Sequence, residues 1–112
     1  MDDNRARALL QAERAEAERL LSDTAAAQQL DQTVERKTWD SADAAHALTD
    51  EEMDDAFAAG LRERLAALDR AEDRLQMGAF GRSIRSGLPI PDERLEADPA
   101  AELTVEEAER QL

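Results

Sequence analysis

Lys37-Thr38-Trp39-Asp40-Ser41-Ala42-Asp43-Ala44-Ala45-His46-Ala47-Leu48 separates two alanine-rich stretches, and its reading determines whether the chain turns back on itself. Before it, residues 3–36 contain no Pro or Gly. Leu9, Leu10, Leu20, Leu21, Leu30 and Val34 recur there at helical spacing, with Ala6, Ala17 and Ala27 between them. The pattern predicts a helix of about 34 residues, roughly 50 Å long at 1.5 Å per residue. After it, Thr49-Asp50-Glu51-Glu52 reads as a capping box that opens a second helix. Met53, Phe57, Leu61, Leu65, Leu68 and Leu75 then share one face, and Met77-Gly78 is the expected stop, because Gly accepts a left-handed C-terminal position. Two helices with one narrow apolar stripe each must bury those stripes against each other or against a partner. The polar connection, about residues 37–48, is short enough for an antiparallel return. A single continuous helix dimerising as a parallel coiled coil is the alternative, and Thr38, Trp39, Asp40 and Ser41 speak against it by interrupting the stripe.

Residues 78–103 hold all three prolines and three of the four glycines, so they read as a small turn-rich module. Leu88-Pro89-Ile90-Pro91 cannot be helical. Thr104-Val105-Glu106-Glu107 is a further capping box, opening a short helix toward Leu112. Phe80, Ile84, Leu88, Ile90, Leu95 and Leu103 are the module's candidate core, too few to stand alone, so packing on the base of the hairpin is expected. The expected fold is mainly α: a long antiparallel helical hairpin (coiled coil) over residues 1–77 with its tip at about 37–48. A small module and a short terminal helix over 78–112 complete it.

Composition narrows the function classes. Of 47 apolar residues 23 are alanine, and Leu, Ile, Val and Phe together number only 20 of 112, which leaves no material for a deep apolar substrate pocket. The net charge of −13 opposes direct nucleic-acid binding and adsorption to anionic membranes. No apolar run is long enough to span a bilayer, and Met1-Asp2-Asp3 is acidic where an export signal is basic, so a cytoplasmic location is expected. Cysteine is absent, which removes disulfides, thiol catalysis and thiolate metal sites. No nucleophile, base and orienting group can be assembled, so no enzymatic function and no cofactor are expected. His46 reads as a solvated or capping residue. Trp39 either anchors the tip loop or touches a partner.

Charge is concentrated near the turn. Residues 40–55 sum to −7 and contain no Lys or Arg, while residues 1–39 sum to −2 and residues 56–76 to zero. A charge run is ordinarily a solvated surface, but seven uncompensated carboxylates at one end of a helical lever can also steer toward a basic cleft or approach bound Mg²⁺.

Residues 75–107 resemble the C-terminal zinc-finger signature of the DksA/TraR family, bacterial regulators that bind in the secondary channel of RNA polymerase. The resemblance is carried by Gly78-x-Phe80-Gly81, by Pro89-Ile90-Pro91 and by Glu93-Arg94-Leu95-Glu96-Ala97-x-Pro99. The family's tip motif, Asp-x-x-Asp-x-Ala, has its counterpart in Asp40, Asp43 and Ala45, at the turn and in register with the finger. The resemblance implies a transcription regulator with RNA polymerase as partner, its acidic tip entering the channel to modulate open-complex stability. A monomer is expected. The four zinc cysteines of the family align with Ser83, Ser86, Thr104 and Glu107, which implies a degenerate finger without metal, because hydroxyls and one carboxylate do not replace four thiolates. Basic residues that bind guanosine tetraphosphate in some members align with Ala67, Asp98 and Ala108, which speaks against alarmone dependence. The rival readings are a structural coiled-coil protein without a polymerase role and an acidic nucleic-acid mimic.

Overall fold

A computed structural model describes residues 1–35 and 44–110, with side-chain environments given for 1–25 and 52–110. The elements are α1 (Asp3–Glu35), α2 (Ala44–Gln76), α3 (Asp92–Ala97) and α4 (Val105–Arg110). Asp2 caps α1: its Oδ1 accepts the Arg5 amide at 2.7 Å and its carbonyl accepts the Ala6 amide at 3.0 Å. α2 ends in a Schellman motif. The Ala79 amide reaches the Arg74 carbonyl (2.8 Å), the Gly78 amide reaches the Leu75 carbonyl (3.2 Å), and Gly78 has φ +75°.

The start of α2 corrects the sequence reading. The helix begins at Ala44, so Thr49 lies inside it and is not its cap. Alanine is the best helix former, and Ala44, Ala45 and Ala47 let the helix extend N-terminal to the Thr49 box. Residues 44–48, expected in the connection, are therefore helical, and 36–43 lie outside the described residues.

The chain forms two compact units, Met1–Ala15 with Ala66–Leu112, and Glu16–Leu65. Each pairs one end of α1 with the opposite end of α2 in sequence, which is the order of an antiparallel hairpin. In the first unit Ala6, Leu10, Leu68, Ala71 and Leu75 are buried. Arg14 joins its two helices, donating through Nε to Glu72 Oε1 (3.1 Å) and through Nη2 to Asp69 Oδ1. In the second unit, among the residues whose side chains are described, Ala17 and Ala58 are buried. Arg19 pairs there with Glu16 (2.7 Å) and Asp23 (3.1 Å) along α1.

Met53 and Phe57, expected on the buried face, are 67% and 50% exposed. The inward line of α2 runs through buried Ala58, Leu68, Ala71 and Leu75 with half-buried Leu61 and Leu65 between them, and Phe57 stands one residue, about 100°, away from it. Ala58, next to Phe57 in sequence, takes the buried position at this level of the helix.

In the module, Ile90, Leu95 and Ala101 form the core, with Met1 and Phe80 packed against it. Ile84 and Leu88, also expected inside, are 59% and 58% exposed. They flank a tight turn closed by Ser83 N to Leu88 O (2.8 Å) and Gly87 N to Ser83 O (3.0 Å), with an isolated antiparallel bridge between Arg82 and Pro89. A turn that points outward carries its apolar residues out with it. No described helix is long and apolar enough to cross a membrane.

Leu68 is fully buried and among the largest fully buried side chains. Leu68→Ala is expected to cost about 2–5 kcal/mol, read as a lower urea midpoint at unchanged slope.

Candidate functional site

Ser83 and Ser86 lie on the turn before the Pro89-Ile90-Pro91 step, and Thr104 and Glu107 lie at the start of α4. The structure brings these four positions together around one carboxylate. Ser83 Oγ donates to Glu107 Oε2 at 2.8 Å, and Thr104 Oγ1 donates to Glu107 Oε1 at 2.9 Å. The Thr104 amide also donates to Glu107 Oε1 (3.2 Å), while the Glu107 amide donates back to Thr104 Oγ1 (3.3 Å). That reciprocal pair is the Thr104-x-x-Glu107 capping box foreseen in the sequence. Ser83, Thr104 and Glu107 are all buried.

Ser83 is the organising hydroxyl. Its Oγ accepts the amides of Arg85 (3.1 Å) and Ser86 (3.2 Å), which occupies both lone pairs. Its one proton must then go to Glu107. Ser86 is exposed and its Oγ accepts the Leu88 amide (3.2 Å).

This arrangement favours an ionised carboxylate at position 107. The Thr104 amide is an obligate donor to one oxygen, and the Ser83 hydroxyl is a forced donor to the other. A glutamine sets its NH2 donor against the Ser83 hydroxyl or the Thr104 amide in either orientation, and protonation of the acid weakens one of the two acceptor oxygens. Burial pushes the Glu107 carboxyl upward, but the bonds from Ser83 and Thr104 outweigh it and hold the group below its ordinary range.

The zinc implied by the resemblance does not fit this donor set. Three hydroxyls and one carboxylate contain no thiolate, and both carboxylate oxygens are already committed to protein donors. Among the described residues no three His, Cys, Asp or Glu side chains converge to hold a metal ion. A groove of about 610 Å³ opens beside the cluster, lined by Arg85, Leu88, Pro89, Pro91 and Arg110. Glu107, the buried carboxylate on its wall, has both oxygens engaged by Ser83 and Thr104.

A second polar junction ties the module to α2. Glu102 receives Arg70 Nη2 at 2.9 Å and lies 3.7 Å from Arg74 Nη1. Arg94 Nε donates to the Leu103 carbonyl at 3.0 Å. Burial lowers the Arg74 guanidinium below its ordinary value, with Glu102 opposing and Arg70 adding to the shift. Sequence inspection missed this junction, since nothing in the spacing of 70, 74 and 102 announces it.

Of the other positions singled out in the sequence, Asp40 and Asp43 lie outside the described residues, and Ala45 is in the first turn of α2. Ala67 is on α2, and Ala108 is on α4. Asp98 is the C-cap of α3, where its Oδ1 accepts the Ala100 amide at 3.2 Å.

No protein-family model matches the sequence, and the comparison with curated proteins returns no match. Among solved structures, transcription factor DksA2 from Pseudomonas aeruginosa is similar, with a TM-score of 0.78 at 28% identity, over 99% of this chain and 85% of that one. The chain has a DksA/TraR-like fold. The family resemblance drawn from the sequence therefore agrees with the three-dimensional likeness at the level of the fold. That likeness is to a transcription factor and not to an enzyme.

Two outcomes are expected from the Glu107 cluster. Glu107→Gln lowers the melting temperature at pH 7 by several degrees. Because the folded carboxyl sits below its unfolded value of about 4.3, the stabilisation is complete above that pH and is lost as pH falls through the folded value. The gap between wild type and Glu107→Gln in an acid titration of stability should therefore close toward low pH. A gap independent of pH would show that the charge is not what the site requires. Separately, purified protein is expected to carry no stoichiometric zinc, and a chelator should leave the melting curve unchanged. Structural zinc contributes about 10–16 kcal/mol in small fingers, so a zinc-dependent fold would be conspicuous in that assay.

Proposed function

We propose that this chain is a DksA-like transcription regulator that acts on RNA polymerase without catalysing a reaction. The observation that carries the proposal is the likeness over 99% of the chain to a DksA transcription factor. The acidic motif Asp40-x-x-Asp43-x-Ala45 between the two long helices supports it. In this reading the module and the base of the hairpin dock on the polymerase, and the connection enters the secondary channel. Asp40 and Asp43 then act near the catalytic Mg²⁺ and change open-complex lifetime. The module is a degenerate zinc finger in which Ser83, Ser86, Thr104 and Glu107 take the ligand positions without metal. The protein works in the cytoplasm as a monomer, with no direct nucleic-acid or membrane contact. Ala67, Asp98 and Ala108 leave no basic cradle for guanosine tetraphosphate.

The charges of Asp40 and Asp43 separate action from binding. Changing both to Asn keeps their size and removes two carboxylates from a region without Lys or Arg. The Asp40→Asn, Asp43→Asn variant is expected to melt within a few degrees of wild type, since surface substitutions usually stay within about ±0.5 kcal/mol. It should also retain affinity for core polymerase and lose the effect on open-complex lifetime in transcription with purified components. Full regulation by this variant would reduce the acidic connection to a solvated loop.

A further inference from the structure

Met53 and Phe57 stand four residues apart on α2 and so share one face, each at least half exposed. They are large apolar side chains that the seam does not use, in a chain with only three aromatic residues. Their surroundings restrict what can cover them. Asp50, Glu51, Glu52, Asp54 and Asp55 flank Met53 in sequence, and no Lys or Arg occurs from Asp40 to Leu61. A second copy of the chain would set these carboxylates against their own duplicates, and the net charge of −13 opposes that throughout. An anionic lipid surface is repelled for the same reason. The complementary partner is a protein surface with an apolar pocket rimmed by Lys or Arg. There the phenyl and thioether groups supply the buried anchor, and Glu52 and Asp54 meet the rim.

We infer that Met53 and Phe57 form the hydrophobic anchor by which this arm of the hairpin grips a basic-rimmed apolar pocket on RNA polymerase. The inference rests on the polymerase reading above and adds to it a contact residue pair distinct from the tip. Both side chains are exposed and alanine is the better helix former, so their removal leaves the folded protein intact.

The test is equilibrium binding of the full chain to core RNA polymerase across a salt series, with melting curves for each variant. Wild type is expected to bind, and Met53→Ala, Phe57→Ala to bind roughly tenfold more weakly or worse at an unchanged melting temperature. Met53→Leu, Phe57→Leu should restore most of the affinity. Glu52→Gln, Asp54→Asn should mainly flatten the salt dependence, as rim charges do. Equal affinity of wild type and the double alanine variant overturns the anchor while leaving the polymerase reading in place. A wild-type dimer that the alanine pair dissolves also overturns it, by making the face a self-interface. Absence of wild-type binding removes the polymerase reading, and the anchor with it.

Discussion

One carboxylate closes the C-terminal module. Glu107 receives the hydroxyl of Ser83 across 24 positions of sequence and the hydroxyl and amide of Thr104 from the start of its own helix. The apolar core it closes is small, with Ile90, Leu95 and Ala101 buried and Met1 and Phe80 at its edge. A core of that size cannot offset the conformational entropy of some thirty residues, a third of which lie in turns. The turn at 83–88 is fixed by the Ser83 hydroxyl, whose two lone pairs are filled by the Arg85 and Ser86 amides, and that hydroxyl is oriented in turn by Glu107. Without the carboxylate, the turn and the helix start would keep their local bonds and would be joined through the Ile84 amide on the Glu102 carbonyl (2.9 Å), with the buried side-chain link lost.

The helical part follows a different constraint, close approach. Alanine at positions 6, 17, 58 and 71 is buried while bulkier residues beside the seam are not. Small side chains bring two helix backbones near one another and bury little apolar area per residue, so specificity comes from few points. Leu10, Leu68 and Leu75 supply bulk, and Arg14 bridges the helices by reaching both Asp69 and Glu72. Those two carboxylates hold the Arg14 guanidinium above its ordinary value.

Helix α1 (Asp3–Glu35) and the stop at Gly78 were legible because periodicity over many turns and a glycine with φ +75° are strong, local signals. The Thr104 box was legible for the same reason, since both partners lie within one turn of helix. Thr49 misled because a capping sequence is only a permission to start, and the alanines before it favour helix on their own. Met53 and Phe57 misled because size suggests burial, whereas at that level of α2 the buried position falls to Ala58. At the candidate site, sequence alignment brought positions 83, 86, 104 and 107 together, but not the direction of each hydrogen bond or the central place of Glu107. The contacts of Glu102 with Arg70 and Arg74 were not legible at all, because their separation of about thirty residues has no periodic signature.

The hydroxyl and carboxylate set also explains why the first compact unit contains the ends of both long helices together with the module. A tetrathiolate zinc site supplies enough free energy to fold a finger nearly by itself. Hydrogen bonds exchanged with water supply far less, so a module closed by Glu107 must draw the remainder from its neighbours. The structure shows where it does so. Glu102 is held by Arg70 and Arg74 of α2, and the first residue of α1's flank, Met1, packs on the Ile90 and Leu95 core. Arg94 locks the Leu103 carbonyl just before the Thr104 cap, which fixes the approach of α4 to Ser83. The chemistry at the four positions and the packing against the helix ends are therefore one arrangement: the less the site itself contributes, the more the module depends on the helices beneath it.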